Sequence, residues 1–372
     1  MAATEKPKVR TSDNCFDFIR LIAAVSVVIA HGVRHFDAPW LFIPAGTNVL
    51  HEGVEGVRVF FILSGMLVFQ SGLRCLQTGR PLKSFFANRF LRVAPAIYMY
   101  ALVATLVLLI LGAITFSEVT SKGYLLWFAG NLLLYPLYFP EAHRDIGVGV
   151  LNGSLWTIPV EVTFYVFVPL LAWLWVKGKE KLMWVLTSLA VIGATAFHWW
   201  TFYAHPEWFE KGANEPLWFK VFVASLAPWL FWFALGIMFY KYWEKMPKSL
   251  GLFLASLVAY ALLSFVFYDA LQPLGPVRHI LYGLPLGYAT VWFGYNGPAK
   301  LRDLSKLGDL SYGVYVWHMV IINIMLYLGL KDSIPKSMIV SVTLVATLFV
   351  AWLSWWLVEK PSLARKPYTS RS

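Results

Sequence analysis

Apolar blocks of about 20 residues alternate along the chain with short polar breaks. A helix needs that length to cross a hydrocarbon core, so the blocks predict membrane spans. They fall at 15–34, 54–73, 93–115, 155–176, 182–203, 219–241, 250–269, 277–294, 310–330 and 337–358. The predicted fold class is all-α, a polytopic membrane protein with about ten transmembrane helices. The stretch 124–139 is also apolar, but it is short and holds Asn131 and Pro136. It reads as a re-entrant or interfacial piece.

Charge orients these spans. With the N-terminus inside, the inner segments 1–14, 74–92, 177–181, 241–249, 295–309 and the tail hold about 21 Lys and Arg, and the outer loops about five. A full span at 124–139 would throw KGKEK (Lys177–Lys181) and most later basic loops outside. The expected organisation is a cytoplasmic segment 1–14, a membrane domain 15–358 and a cytoplasmic tail 359–372. The expected location is the inner membrane of the cell. No appended soluble domain, cleavable signal or internal repeat is expected.

Composition agrees and narrows the classes. Hydrophobic residues make up 59% and charged residues 14%, too apolar for a soluble core. The net charge of +11 lies in short loops, which explains it by topology and leaves no nucleic-acid partner to expect. Cys15 and Cys75 fall at predicted cytoplasmic helix ends, so neither a structural disulfide nor a metal site is expected.

Ionisable groups inside spans are costly, and they mark where chemistry can sit. Asp17 and Arg20 are three apart in the first span and share a face, as an interfacial ion pair or a snorkelling anchor would. His31 lies eleven residues beyond Arg20, three turns or about 16 Å along the axis. One helix thus offers a cation towards the inner face and an imidazole towards the outer face. Such a cation can hold an anionic ligand while the histidine moves a proton; a histidine satisfied by a neighbouring helix fits the same position. His31 and His35 have the i, i+4 spacing of a metal pair, without a matched third ligand. The most basic inner loop contains Lys83 and ends in RFLR, where Arg89 and Arg92 present two forks on one face. Phosphate binding and contact with anionic lipid both suit them. Ser64 follows a run with Gly53 and Gly56, which suits close helix packing. The fourth span is entered through LNGSLWTIPVE, with Trp156 and the buried carboxylate of Glu161, for which His31 is a candidate partner. In KLGDLSYGVYVWHMV, Ser311, Tyr315 and His318 make a polar face that should line the interior, as helix–helix glue or as part of a site.

Six stretches together resemble the acyltransferase 3 family of integral membrane acyltransferases: FDFIRLIAAVSVVIAH, GVRVFFILSG, RFLR, GSLWTIPVEVTFY, LSYGVYVWH and WLVEKP. They occur in the family's order over nearly the whole chain. The resemblance implies a ten-helix domain that takes an acyl group, usually acetyl, from cytoplasmic acyl-CoA and passes it to a hydroxyl outside. The implied acceptor is a sugar of a surface polysaccharide or lipopolysaccharide, free or lipid-linked. His31 matches the family's essential histidine, Arg20 its partner arginine, and Arg89 and Arg92 the arginines of the acyl-CoA end. Trp156 and Glu161 match the fourth-helix motif; Tyr312 and His318 match the late one.

On this reading acyl-CoA is a substrate and no cofactor is tightly bound. Its charged nucleotide stays at the inner face on Arg89, Arg92 and Lys83, with Arg20 at the mouth. His31 deprotonates the acceptor or carries the acyl group itself. Glu161 orients the imidazole or touches the acceptor, and Ser64, Tyr315 or backbone amides at a small-residue contact are candidate oxyanion donors. A multi-pass transporter of a sugar or lipid-linked intermediate is the rival.

Overall fold

The computed structural model describes residues 14–45, 53–209, 216–302 and 308–367. Residues 1–13 of the expected N-terminal segment and 368–372 of the expected tail lie outside them. The main helices are α1 (Phe16–Phe36), α2 (Val54–Gln77), α3 (Leu82–Ile110), α4 (Lys122–Leu132), α5 (Thr157–Val176), α6 (Glu180–Ala204), α7 (Leu230–Tyr242), α8 (Leu250–Ala261), α9 (Arg278–Asn296), α10 (Ser311–Tyr327) and α11 (Lys336–Ser354). Among the described residues there is no β-strand, only an isolated bridge between Trp40 and Ile43.

Local chemistry sets the ends. The Asn14 side chain accepts from the Phe16 N–H at 3.1 Å and Asp17 sits in the first turn of α1, both favourable at a helix N-terminus. Arg34 and His35 occupy its last turn, where positive charge suits the dipole. α10 stops at Tyr327 because Gly329, at φ 67°, takes the left-handed conformation that closes helices.

The chain is an all-α, multi-pass membrane fold. Among the described residues seven helices are long and apolar enough to cross a membrane, or eight if one bent pair counts as a span. That is fewer than the ten expected, for two reasons. The stretches 250–269 and 277–294, read as two spans, form the pair Leu250–Val266 and Tyr268–Asn296, bent by 80°. The break falls at Phe267, where the π-helical turn Leu262–Val266 ends. The second reason is α10, an apolar helix of only 17 residues. The stretch 124–139 begins in the 11-residue α4 and leaves helix after Leu132, well short of a span.

The helices gather into two compact units. One takes Met1–Ile19, Arg58–Gly79 and Thr163–Lys306, in their described residues. Its packing is tightest where α2 crosses α7: a Cβ added at Gly65 would strike the Phe233 carbonyl, and one at Gly236 the Ile62 carbonyl. Small residues let the backbones meet, and Phe61 stacks on Phe233 beside them at 4.7 Å between centroids. The buried Arg58 stands over the rings of Trp232 and Tyr282, 5.2 and 4.9 Å from their centroids, and meets His279 Nδ1 at 3.0 Å.

The other unit takes Arg20–Val57, Arg80–Val162 and Leu307–Ser372, in their described residues. There α10 packs along α11, and an apolar cluster including Ile29, Val33, Met319, Ile322 and Val340 joins them to α1. Val345 and Leu357 here, and Leu189 and Ile192 in the first unit, are exposed, as lipid-facing positions of membrane helices are.

Candidate active site

The polar groups that the sequence singles out converge mostly in the second unit, on α10. This helix is apolar overall, yet Ser311, His318 and Asn323 on it are all buried. A buried polar side chain needs partners, and these three find them in different segments.

At the inner end of α10 the focus is Asp309. Its Oδ2 meets the guanidinium of Arg92 and lies 3.6 Å from Arg20 Nη1. Its Oδ1 accepts from the Ser311 N–H at 3.3 Å and from the Ser311 hydroxyl. Burial works against its charge, but Arg92 and Arg20, with the bonds from Ser311, hold the carboxyl below the ordinary carboxylate range. Arg92 also stands over the Tyr312 ring, 5.7 Å from its centroid, and the Tyr312 hydroxyl donates to the Val93 carbonyl at 2.9 Å. Lys366 belongs to the same charged surroundings. Burial first, then Arg89 and Arg92, pull its ammonium down to about 8, against a smaller opposing pull from Asp309. Glu359 is buried and accepts from Ser354 Oγ at 3.1 Å.

Seven residues along α10 from Ser311, about 10 Å, is His318. His31 Nδ1 lies 2.9 Å from His318 Nε2, with the two rings within 8° of parallel. The tautomers follow from the remaining contacts. His318 Nδ1 is 2.7 Å from the Tyr315 carbonyl, which can only accept, so Nδ1 carries the proton. With both rings neutral, His318 Nε2 is then the acceptor and His31 Nδ1 the donor. That leaves His31 Nε2 with its lone pair, the atom a general base uses. Ser154 Oγ lies 3.2 Å from the same His318 nitrogen.

The segment carrying Ser154 is pinned to α10 along its length. Asn323 donates to the carbonyls of Val150 and Leu151 (3.1 and 3.0 Å) and accepts from the Val148 N–H at 2.7 Å. Asn152 donates to the Val316 carbonyl at 2.7 Å. The Tyr315 hydroxyl donates to the Ser154 carbonyl at 2.6 Å and meets Thr157 Oγ1 at 2.9 Å. Gly147, at φ 59°, lets the chain turn against Asn323, where any Cβ would collide with the amide. These bonds satisfy irregular backbone inside an apolar protein.

Arg20, Arg92, Ser311, Tyr312, Tyr315, His318 and His31 thus gather along α1, α3 and α10. Glu161, for which the sequence offers His31 as a candidate partner, interacts electrostatically with Tyr312 and Tyr315, and the contact made by His31 Nδ1 is with His318. Trp156 is half-buried at the end of the 3₁₀ turn Gly153–Trp156. Arg89 is half-buried and Lys83 exposed in the first turns of α3. Ser64 and Asp17 belong to the other unit, Ser64 beside the glycine crossing of α2 and Asp17 in the first turn of α1. Asp309 and Asn323 escaped the sequence reading. Asp309 had a signal, an acid two residues ahead of the serine that opens a helix; Asn323 had one as a lone amide in an apolar helix. Among the described residues no three His, Cys, Asp or Glu side chains converge as metal ligands.

A dyad of this kind can take a proton from a hydroxyl, and the arginines at its inner side can hold phosphate. The acyltransferase domain model matches residues 13–358. The chain is 27% identical to Nodulation protein 10 of Rhizobium leguminosarum bv. viciae, over 94% of this chain and 93% of that one. It is 25% identical to the O-acetyl transferase of Shigella phage Sf6, over 95% and 96%. With the peptidoglycan O-acetyltransferase OatA of Listeria monocytogenes it shares 22% identity over 93% of this chain and 55% of the relative. No solved structure matches. With the family model covering nearly all of its length, the chain belongs to the acyltransferase 3 family of membrane acyltransferases.

Proposed function

We propose that this protein is an O-acyltransferase that moves an acyl group from acyl-CoA at the cytoplasmic face to a hydroxyl of a surface glycan, free or lipid-linked. Acetyl is the group its relatives' names favour. The bilayer is the inner membrane, with both termini cytoplasmic. The observation that carries the reading is the two-ended contact of α1. Arg20 meets Asp309 beside Arg92 at one end, and His31 meets His318 three turns further along.

The donor's phosphates are held by Arg89 and Arg92, with Arg20 at the mouth and Lys83 at the rim. Its thin pantetheine arm runs along α1 and brings the thioester to His31. The acceptor hydroxyl gives its proton to His31 Nε2 as its oxygen attacks the thioester carbonyl. The tetrahedral intermediate collapses, the C–S bond breaks, and the thiolate of CoA takes the proton back from His31. His318 supports each protonation change by accepting from His31 Nδ1 throughout. Glu161, which acts electrostatically on Tyr315, orients the imidazole or touches the acceptor. No separate observation favours a transporter.

The test compares surface glycans from cells lacking the protein, cells with wild type and cells with His31→Ala, by mass spectrometry. Wild type should restore an acyl mass on one sugar and His31→Ala should not, at equal membrane levels. Acylation by His31→Ala within a few-fold of wild type would sink the proposal.

A further inference from the structure

Asp309 has no part in the transfer as just described, yet two arginines and Ser311 converge on it. Its side chain is 15% exposed. Arg20 comes to it from α1 and Arg92 from α3, and Ser311 binds it at the first turn of α10. Two guanidiniums gathered in one buried place repel each other unless an anion stands between them. Here the chain supplies that anion itself. Only one carboxylate oxygen serves the arginines; the other holds the start of α10. Asp309 therefore cannot swing aside to make room for a ligand without breaking its bonds to Ser311 at the start of α10. That argues against an anion that merely occupies the donor's place until the donor arrives.

We propose that Asp309 is a positioning residue for the anionic donor. It fixes the Arg20 and Arg92 guanidiniums in the arrangement that grips the donor's phosphates, and it ties that arrangement to α10, the helix that carries His318. The inference rests on the reading that the inner arginines hold acyl-CoA. Preorganisation of this kind strengthens binding because the arrangement is already made before the ligand arrives.

Binding of acetyl-CoA to the purified full-length protein in detergent, by titration calorimetry, tests this without knowledge of the acceptor. Asp309→Asn keeps an oxygen for the Ser311 N–H and loses the charge. It should weaken binding about tenfold with the melting temperature little changed. Asp309→Glu restores the charge and should bind within about threefold of wild type. The double variant Asp309→Asn/Arg92→Ala should lose less than the sum of the two single losses, because Asp309 acts partly through Arg92 and partly through Arg20. Should Asp309→Asn not fold, Asp309→Ser, whose hydroxyl can still cap, takes its place. Unchanged or tighter binding in Asp309→Asn, with Arg92→Ala weakened, overturns the role of Asp309 and leaves the donor reading standing. So do losses that simply add in the double variant. No binding by wild type, or full binding by Arg92→Ala, overturns the donor reading and this inference with it.

Discussion

His31 Nδ1 donates to His318 Nε2 at 2.9 Å, and His318 Nδ1 in turn donates to the Tyr315 carbonyl. The second bond decides the direction of the first. His318 therefore fixes the tautomer of His31 in the way a carboxylate fixes the histidine of a hydrolase triad. His318→Ala is expected to lower glycan acylation about a hundredfold while leaving acetyl-CoA affinity within about twofold. His318→Gln keeps an amide oxygen able to accept from His31 and should retain more activity than the alanine variant. Initial rates of acylation set beside the donor dissociation constants check this; equal losses in the two variants would speak for packing alone.

Asn323 is expected to be a stability residue. Its amide satisfies two loop carbonyls and one loop N–H from a fully buried position. Asn323→Ala strands those groups and should cost about 1–3 kcal/mol. Gly147→Ala should act on the same contact from the loop side, through its positive φ and the collision with Asn323. Thermal melts in detergent measure both. Combining the two should cost less than their sum, since each breaks the same seam.

Lys366 predicts a pH dependence. Its ammonium titrates at about 8 in the folded protein against an ordinary 10.5, chiefly through burial and then through Arg89 and Arg92. Above about 8 the unfolded chain binds the extra proton, so this group adds stability as pH rises from about 8 towards 10.5. Donor binding should move the other way. Raising the pH through about 8 removes a positive charge beside the arginines, so acetyl-CoA affinity should fall. In Lys366→Gln that fall should flatten. Titrations at pH 7 and pH 9 with both proteins read the difference.

Some of this is legible along a single helix. Arg20 and His31 lie on one side of α1 because eleven residues make three turns. Local spacing of that kind survives folding unchanged. The apolar blocks likewise foretell α-helices and a membrane, because only helices and closed barrels satisfy their backbone in hydrocarbon. Hydropathy alone does not set the number of spans. Hydropathy does not see the 80° bend between Leu250–Val266 and Tyr268–Asn296, nor the left-handed glycine that ends α10 early.

Along the chain, hydropathy and residue type suffice for the helical class, the membrane setting and which side chains are too polar for their surroundings. Tertiary structure alone decided which of them meet. His31 finds His318 rather than Glu161, and Arg20 and Arg92 find Asp309. Those partners come from segments far apart in the chain, brought together by the packing of α1, α3, α10 and α11. The physical reason is that a buried polar group must be satisfied wherever it ends up. The sequence shows that a partner is needed; only the packed helices show which atom supplies it.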